Sequence, residues 1–321
     1  MLRKSKFGIS FELKLYLVCM ENSNFHIPVL LDTIIDQLAP KSGENLLDVT
    51  FGRGGHTLKI LEITAPGGIA FATDADPDAI KFAENNIEQF SNRLKINHAR
   101  FSQVLALINE GTIEKPDMLL ADLGVSSPQI DNADRGFSYL HDGPIDMRFD
   151  PDAEFTAFDI LRNSSEKELA DGFWKYGEER FSRQIARNIK QMLNRRALKT
   201  TSDLVKIIES TIKTTSKGKA RDFGPPARRV FQALRIMTNN ELGELETLIK
   251  NIPQILKPGG RAAIISFHSL EDRIVKFGFK DLEKLGVAEI LTKKPLTASR
   301  KELHENSRAK SAKLRAIKLL Q

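Results

Sequence analysis

The sequence predicts an α/β fold: a doubly wound, mostly parallel sheet interrupted by an inserted all-helical domain. Three observations carry this. Short apolar runs alternate with helical patterns as far as Asp122. The rhythm then breaks, and Ser138 to Phe223 reads as helix with no strand of comparable quality. It resumes after Pro225-Pro226. Strands alternating with helices imply βαβ units and a parallel sheet, with ligands at the carboxyl ends of the strands.

Taken in order, Glu44–Phe51 reads as a buried strand running into a glycine loop, and Leu58–Thr64 as a short helix. Gly68–Asp74 is the second strand. Pro77–Phe90 is a helix with Pro77 at its first position and Asp76 as its cap, the favoured way to start one. Leu94–Phe101 is the third strand, Ser102–Asn109 a helix and Asp117–Asp122 the fourth strand. In the insertion, Thr156–Arg162, Ser165–Tyr176, Glu179–Asn194 and Ser202–Thr211 read as helices, the last capped by Ser202. The stretch TTSKGKARDFGPP is a loop. Ala227–Leu256 reads as one long helix, with Leu245, Leu248, Ile249 and Ile252 forming an apolar stripe at helical spacing. Arg261–Phe267 is the fifth strand, and Ala288–Thr292 and Lys313–Leu320 are weaker candidates.

Composition narrows the function. The 321 residues are 41% hydrophobic and 28% charged, which suits a globular chain of two domains or one domain with an insertion. Cys19 is the only cysteine, which excludes an intrachain disulfide and a cysteine-based zinc site and points to a reducing, cytoplasmic setting. No apolar run reaches the roughly 18 residues of a membrane span. The net charge of +6 hides an asymmetry. Phe101–Glu179 holds 17 acidic and 6 basic residues, whereas Arg180–Arg235 holds 15 basic and 3 acidic. Such a basic run is either a solvated helix face or a nucleic-acid footprint.

The chemistry concentrates at three strand ends. Asp48-Val-Thr-Phe-Gly-Arg-Gly-Gly-His-Thr57 carries a strand into a glycine-rich turn and a helix. Asp74 follows Gly54 by 20 residues, where an acid can accept from both ribose hydroxyls of an adenosine. This arrangement serves NAD and S-adenosylmethionine enzymes alike. Thr57 stands where the dinucleotide fingerprint has its third glycine, and Asp48 and Asp122 suit a cationic ligand better than a pyrophosphate. Asp122-Leu-Gly-Val-Ser-Ser-Pro-Gln129 ends the fourth strand. An acceptor there can take hydrogen bonds from an exocyclic amine and leave its lone pair aimed at a methyl group. Ser126-Ser127-Pro128 also reads simply as a turn. Phe137–Asp150 follows this loop; Tyr139 or Phe137 can stack on a flipped base, or the segment is a structural Gly-Pro turn. His268 either lines the substrate cleft or bonds a loop carbonyl. No His, Asp and Glu grouping has metal-ligand spacing, so no metal is expected.

FGRGGHT, DLGVSSPQ, RGFSY, DGPIDMR, YGEERF, ISFHSLEDRIVK and ENSRAKSAKLR together resemble the RsmH (MraW) family over about His26 to Lys318. These are bacterial enzymes that methylate the exocyclic N4 amine of a cytidine in the decoding region of 16S ribosomal RNA. The resemblance implies a Rossmann-like methyltransferase using S-adenosyl-L-methionine, in the cytoplasm, on 16S rRNA of the small ribosomal subunit. It implies cofactor contacts from Gly54, Gly55, His56, Asp74, Phe101, Asp122 and Gln129. Asp122 is the candidate nearest the chemistry, or else serves cofactor binding alone. This chain has Asp48-Val-Thr where many members have Asp-Gly-Thr, which removes no ligand group.

The expected organisation is an N-terminal extension at 1–22, a methyltransferase domain from 23–137 and 224–321, and a helical substrate-recognition domain at 138–223. Met20 is a candidate start. The protein is expected to be a monomer or a homodimer without membrane contact. The basic stretches Arg180–Arg235 and Lys293–Lys318 (9 basic, 2 acidic) are the expected RNA contacts. Two rivals remain on the residues alone: an NAD-dependent oxidoreductase, and a non-catalytic RNA-binding assembly factor.

Overall fold

The computed structural model describes residues 28–86, 92–215 and 225–320. The expected N-terminal extension, Cys19 and most of the loop after residue 215 lie outside the described residues. The elements run α1 (Leu31–Leu38), β1 (Leu46–Asp48), α2 (Gly55–Ile63), β2 (Ala70–Asp74), α3 (Pro77–Asn86), β3 (Leu94–His98), α4 (Val104–Asn109), β4 (Met118–Asp122) and α5 (Ser127–Asp131). The helical stretch follows as α6 (Ala157–Asn163), α7 (Glu166–Gly177), α8 (Ser182–Asn194), α9 (Thr201–Thr215) and α10 (Pro226–Asn239). The chain closes with α11 (Glu241–Ile255), β5 (Arg261–Ser266), α12 (Ser269–Lys284), β6 (Ala288–Ile290), α13 (Arg300–Glu305) and β7 (Lys313–Leu319).

The sheet order is β3-β2-β1-β4-β5-β7-β6. The first five strands are parallel, and β7 runs antiparallel to both β5 and β6. Chain order reverses between β1 and β4, the switch point where a doubly wound sheet opens a crevice beyond its strand ends. The central strands β2, β4 and β5 are buried except at one end each, Asp74, Asp122 and Arg261, as their continuous apolar runs required.

Apolar side chains separate into cores. Two cover the faces of the sheet: Leu47, Phe71 and Leu119 under α11 and α12, and Leu46, Leu120 and Ile265 under α1 and α2. A further core is helical, built from Phe137, Leu161, Phe173, Ile185, Leu204 and Leu234 among others.

Several boundaries differ from the sequence reading. The long helix expected at Ala227–Leu256 is two helices, because Asn240 adopts φ 51°. Asn tolerates this left-handed conformation better than most residues. The break also splits the cores: Val230, Phe231 and Leu234 of α10 join the helical core, and Leu245 and Leu248 of α11 join the sheet. Helical packing therefore runs past the expected boundary at 223. The helix expected from Glu179 starts at Ser182, because Glu178 is left-handed and Glu179 is buried against Arg229. Thr200, not Ser202, caps α9: its hydroxyl accepts from the Asp203 N–H, whose carboxylate accepts from the Thr200 N–H.

Candidate active site

A cavity of about 1030 Å³ lies beyond the carboxyl ends of β1, β2, β4 and β5. Val49, Asp74, Asp122 and Phe267 line it from the sheet, Tyr139 and Phe231 from the helical side, and Arg308 from the C-terminal segment. Its size exceeds what one small ligand needs, leaving room for a second group beside it.

The glycine turn forms one wall. Phe51 continues the sheet by donating to the Thr73 carbonyl, then Gly52 (φ 54°) and Gly54 (φ 77°) reverse the chain. Both φ values favour glycine. A Cβ on Gly55 would meet the Pro28 ring, so this position also needs glycine. Asp48 is 2% exposed and sits beneath the turn. Its carboxylate accepts from Thr57 Oγ1 at 2.5 Å and from the Thr50 N–H at 2.9 Å, while burial pushes its pKa up. Asp48 therefore braces the turn from behind and does not line the cavity.

Asp74 ends β2. It accepts from the Gly52 N–H at 2.8 Å and the Asp76 N–H at 2.9 Å, which fixes its carboxylate at the cavity edge. Burial pushes it up to about 6. Phe101 follows β3 in a short helical turn, partly buried against the sheet core with its ring at the cavity.

Asp122 ends β4, and its backbone N–H donates to Thr50 Oγ1 at 2.7 Å. Although the residue is partly exposed, its Oδ1 is buried without a hydrogen-bond partner. Burial pushes this carboxyl to about 6, with His56 opposing and Asp48 and Glu271 reinforcing. His56 is 7% exposed and Nε2 donates to the Val29 carbonyl at 2.9 Å. A carbonyl only accepts, so Nε2 carries a proton and Nδ1 faces Asp122 Oδ2 at 3.9 Å. A buried, unpartnered carboxylate oxygen in a residue of the cavity wall wants a donor or a cation.

Gln129 lies in the wall, but both ends of its amide are engaged. Oε1 accepts from the Ser126 N–H at 2.9 Å, and Nε2 donates to Asp76 Oδ2 at 2.7 Å. Its role here is to tie the Ser126-Ser127-Pro128 loop to Asp76. Asp76 is a hub that sequence reading took only for a helix cap. It also accepts from Arg135 Nη1 at 2.9 Å, and Arg135 Nη2 donates to the Arg148 and Phe149 carbonyls. Arg135 thereby clips the segment after the loop onto the cavity edge. Phe137 stacks on Phe149 with centroids 5.7 Å apart, while Tyr139 meets Phe231 edge-on at 6.1 Å. Phe137 is thus occupied in packing, and Tyr139 is the more open ring.

At the end of β5, His268 caps α12. Its Nδ1 accepts from the Glu271 N–H at 3.3 Å, and Nε2 lies 3.1 Å from Glu271 Oε1 without the alignment of a hydrogen bond. Glu271 is 2% exposed; burial opposes its ionisation, but adjacent His268 and Arg235 hold it below the usual range. Arg235 and Glu241 form a bidentate pair at 2.8 and 3.0 Å across the α10–α11 break. Neither residue was singled out from the sequence; six positions apart on one continuous helix they would lie on different faces, and the pair forms across the Asn240 break.

The donor set suits a cationic cofactor of the S-adenosylmethionine type. Carboxylates end β2 and β4, one oxygen stands unpartnered, and backbone approaches closely at the glycines. Among the described residues, no group of three His, Cys, Asp or Glu is placed to hold a metal ion. No described helix is long and apolar enough to cross a membrane.

Residues 23–320 match the MraW methylase family. Among curated proteins, Ribosomal RNA small subunit methyltransferase H of Nostoc punctiforme is 45% identical over 296 residues, covering 92% of this chain and 94% of that one. Its namesake from Acidobacterium capsulatum is 42% identical over 298 residues, covering 91% and 97%. The Halothermothrix orenii protein of the same name is 42% identical over 305 residues, covering 90% and 97%.

Proposed function

The chain belongs to the MraW methylase family, and from that premise we propose that it uses S-adenosyl-L-methionine to methylate the N4 amine of a cytidine in 16S ribosomal RNA. The observation that carries the reading is Asp122 Oδ1, buried and unpartnered at the strand end that faces the cavity. Asp74 is the ribose partner, Phe101 the adenine wall, and Gly54, Gly55 and His56 the cradle. Gln129 contributes by holding the loop and Asp76 in place.

When bound, the cofactor supplies a methyl carbon activated by a cationic sulfur, and it leaves as a neutral thioether. The protein's part is positioning and electrostatics. Asp122 accepts a hydrogen bond from the target amine, which turns the nitrogen lone pair away from the ring and toward the methyl carbon. The raised pKa of Asp122 suits it to take up the proton that the amine releases. Tyr139 offers a face to an extruded base from the helical side.

The helical unit, expected at 138–223 and packed with α10, is the RNA-facing part. Its support is the basic excess from Arg180 to Arg235 and its position as the opposite wall of the cavity. The assembled small ribosomal subunit in the cytoplasm is the substrate.

The test is methyl transfer. Purified protein and labelled S-adenosylmethionine should label 16S rRNA in small subunits from cells lacking the gene, and nuclease digestion should release N4-methylated cytidine. Calorimetry with NAD should show no binding. NAD binding without S-adenosylmethionine binding would restore the oxidoreductase rival. Cofactor binding without transfer would leave the assembly-factor rival.

A further inference from the structure

The cavity is lined by carboxylates, which repel a polyanion. Asp74, Asp76, Asp122, Glu241, Glu244 and Glu271 all face it. An RNA chain that delivers a base there brings a phosphate on either side of it. Most cations in the wall are already committed. Arg135 pairs with Asp76, Arg235 with Glu241, Lys81 lies 4.0 Å from Asp78, and Arg53 lies 4.3 Å over the Phe82 ring. Arg100 stands beside Phe101, at the adenosine end.

Two cations differ. Arg228 is exposed on α10, one turn before Phe231, the ring that meets Tyr139. Its side chain has no ion-pair partner among the described residues. Arg308 is exposed in a short helical turn before β7, and one guanidinium nitrogen, Nη1, donates to Ser127 Oγ. It too lacks an ion-pair partner among the described residues. The two belong to different bodies: α10 to the helical core, and the Arg308 turn to the sheet core through Ala309 and Ala312. Both line the cavity, Arg308 at the Ser126-Ser127-Pro128 loop and Arg228 one turn from the ring that meets Tyr139.

We propose that Arg228 and Arg308 are a phosphate clamp, gripping the backbone phosphates that flank the target nucleotide from opposite walls of the cavity. The inference rests on the reading of the cavity as an RNA methyltransferase site. A guanidinium matches a phosphate with two parallel donors. Arg308 uses one donor to hold the loop and keeps the others for the ligand, so the phosphate and the catalytic loop are registered by one side chain. The clamp also offsets the acidic lining where the chain must enter.

The experiment measures KM for small subunits lacking the methyl group, across a salt series, together with kcat and S-adenosylmethionine affinity. Arg228→Gln and Arg308→Gln should each raise KM roughly tenfold, the loss of one charge-assisted contact. Each should lower the slope of log KM against log salt by about 0.7, the value for one single-strand phosphate. The double variant should lower it by about twice that, since the residues lie on separate bodies. Cofactor affinity should stay at wild-type level, which also certifies folding. Arg308→Lys should restore the slope, and Ser127→Ala should leave it unchanged. Unchanged slopes in both Gln variants, with weakened cofactor binding or reduced kcat, would mean that Arg308 only props the loop, and the clamp would be wrong. Wild-type protein that methylates no RNA would instead defeat the function reading itself.

Discussion

Asp74 and Asp122 are two carboxyls that burial raises to about 6, and a cationic cofactor needs both ionised. A carboxyl raised by folding contributes stability that is fully present below its unfolded value of 3.8 and lost as pH rises through 6. Cofactor binding runs the other way. Its affinity should fall as pH drops from about 8 to about 5, as both groups take up protons. Calorimetry across that range checks this, and Asp122→Asn should flatten part of the profile. Asp74→Asn keeps an acceptor for only one of the Gly52 and Asp76 N–H groups, turns an amide NH2 toward the other, and loses the charge. It should weaken cofactor binding by roughly tenfold to a hundredfold, one or two charge-assisted bonds, with an unchanged far-ultraviolet circular dichroism spectrum. Wild-type affinity would contradict the ribose assignment. These acids were legible because each closes an apolar run, AFATD and MLLAD. Asp76 and Arg135 were not. Their contact spans 59 residues of sequence, and sequence spacing carries no trace of a bond made by the fold.

Helix starts were readable where a hydroxyl is followed by an acid. Thr156 with Asp159 and Ser165 with Glu168 form capping boxes as residue type suggests. The α10–α11 break was not, because the apolar positions continue through it and only the Asn239-Asn240 pair marks it. Asn240→Val should destabilise by about 1–2 kcal/mol, since a branched side chain at positive φ is strained, while Asn240→Gly should be close to neutral. Urea titration distinguishes them. Glu179 in the link before α8 is fully buried and bonds Arg229 at 2.6 Å. Glu179→Ala removes the buried carboxylate to which Arg229 donates and should cost about 1–3 kcal/mol, again read by urea. Gly143 packs against the Ala133 carbonyl so closely that a Cβ would collide with backbone. Gly143→Ala should displace the loop that presents Tyr139, lowering methyl transfer more than cofactor affinity.

At the scale of the molecule, the sheet body ends in acids suited to a cation, and the basic run Arg180–Arg235 falls in the later helices of the helical body. The cavity lies where they face each other. Cofactor at about a hundred times its dissociation constant should add about 2.7 kcal/mol to stability. Hydrogen exchange should show that gain at the turn after β1 and at the ends of β2 and β4.

The position of β7 has a consequence for how such a chain is made. Residues 313–319 pair with β5 on one side and β6 on the other, so nearly the last described residues fill an inner place in the sheet. During synthesis the helical body emerges complete while β5 still lacks a neighbour, its edge open to any passing strand. The nascent sheet closes only when residues 313–319 clear the ribosome. A chain cut before residue 313 would therefore lack an inner strand and leave β6 without a strand partner.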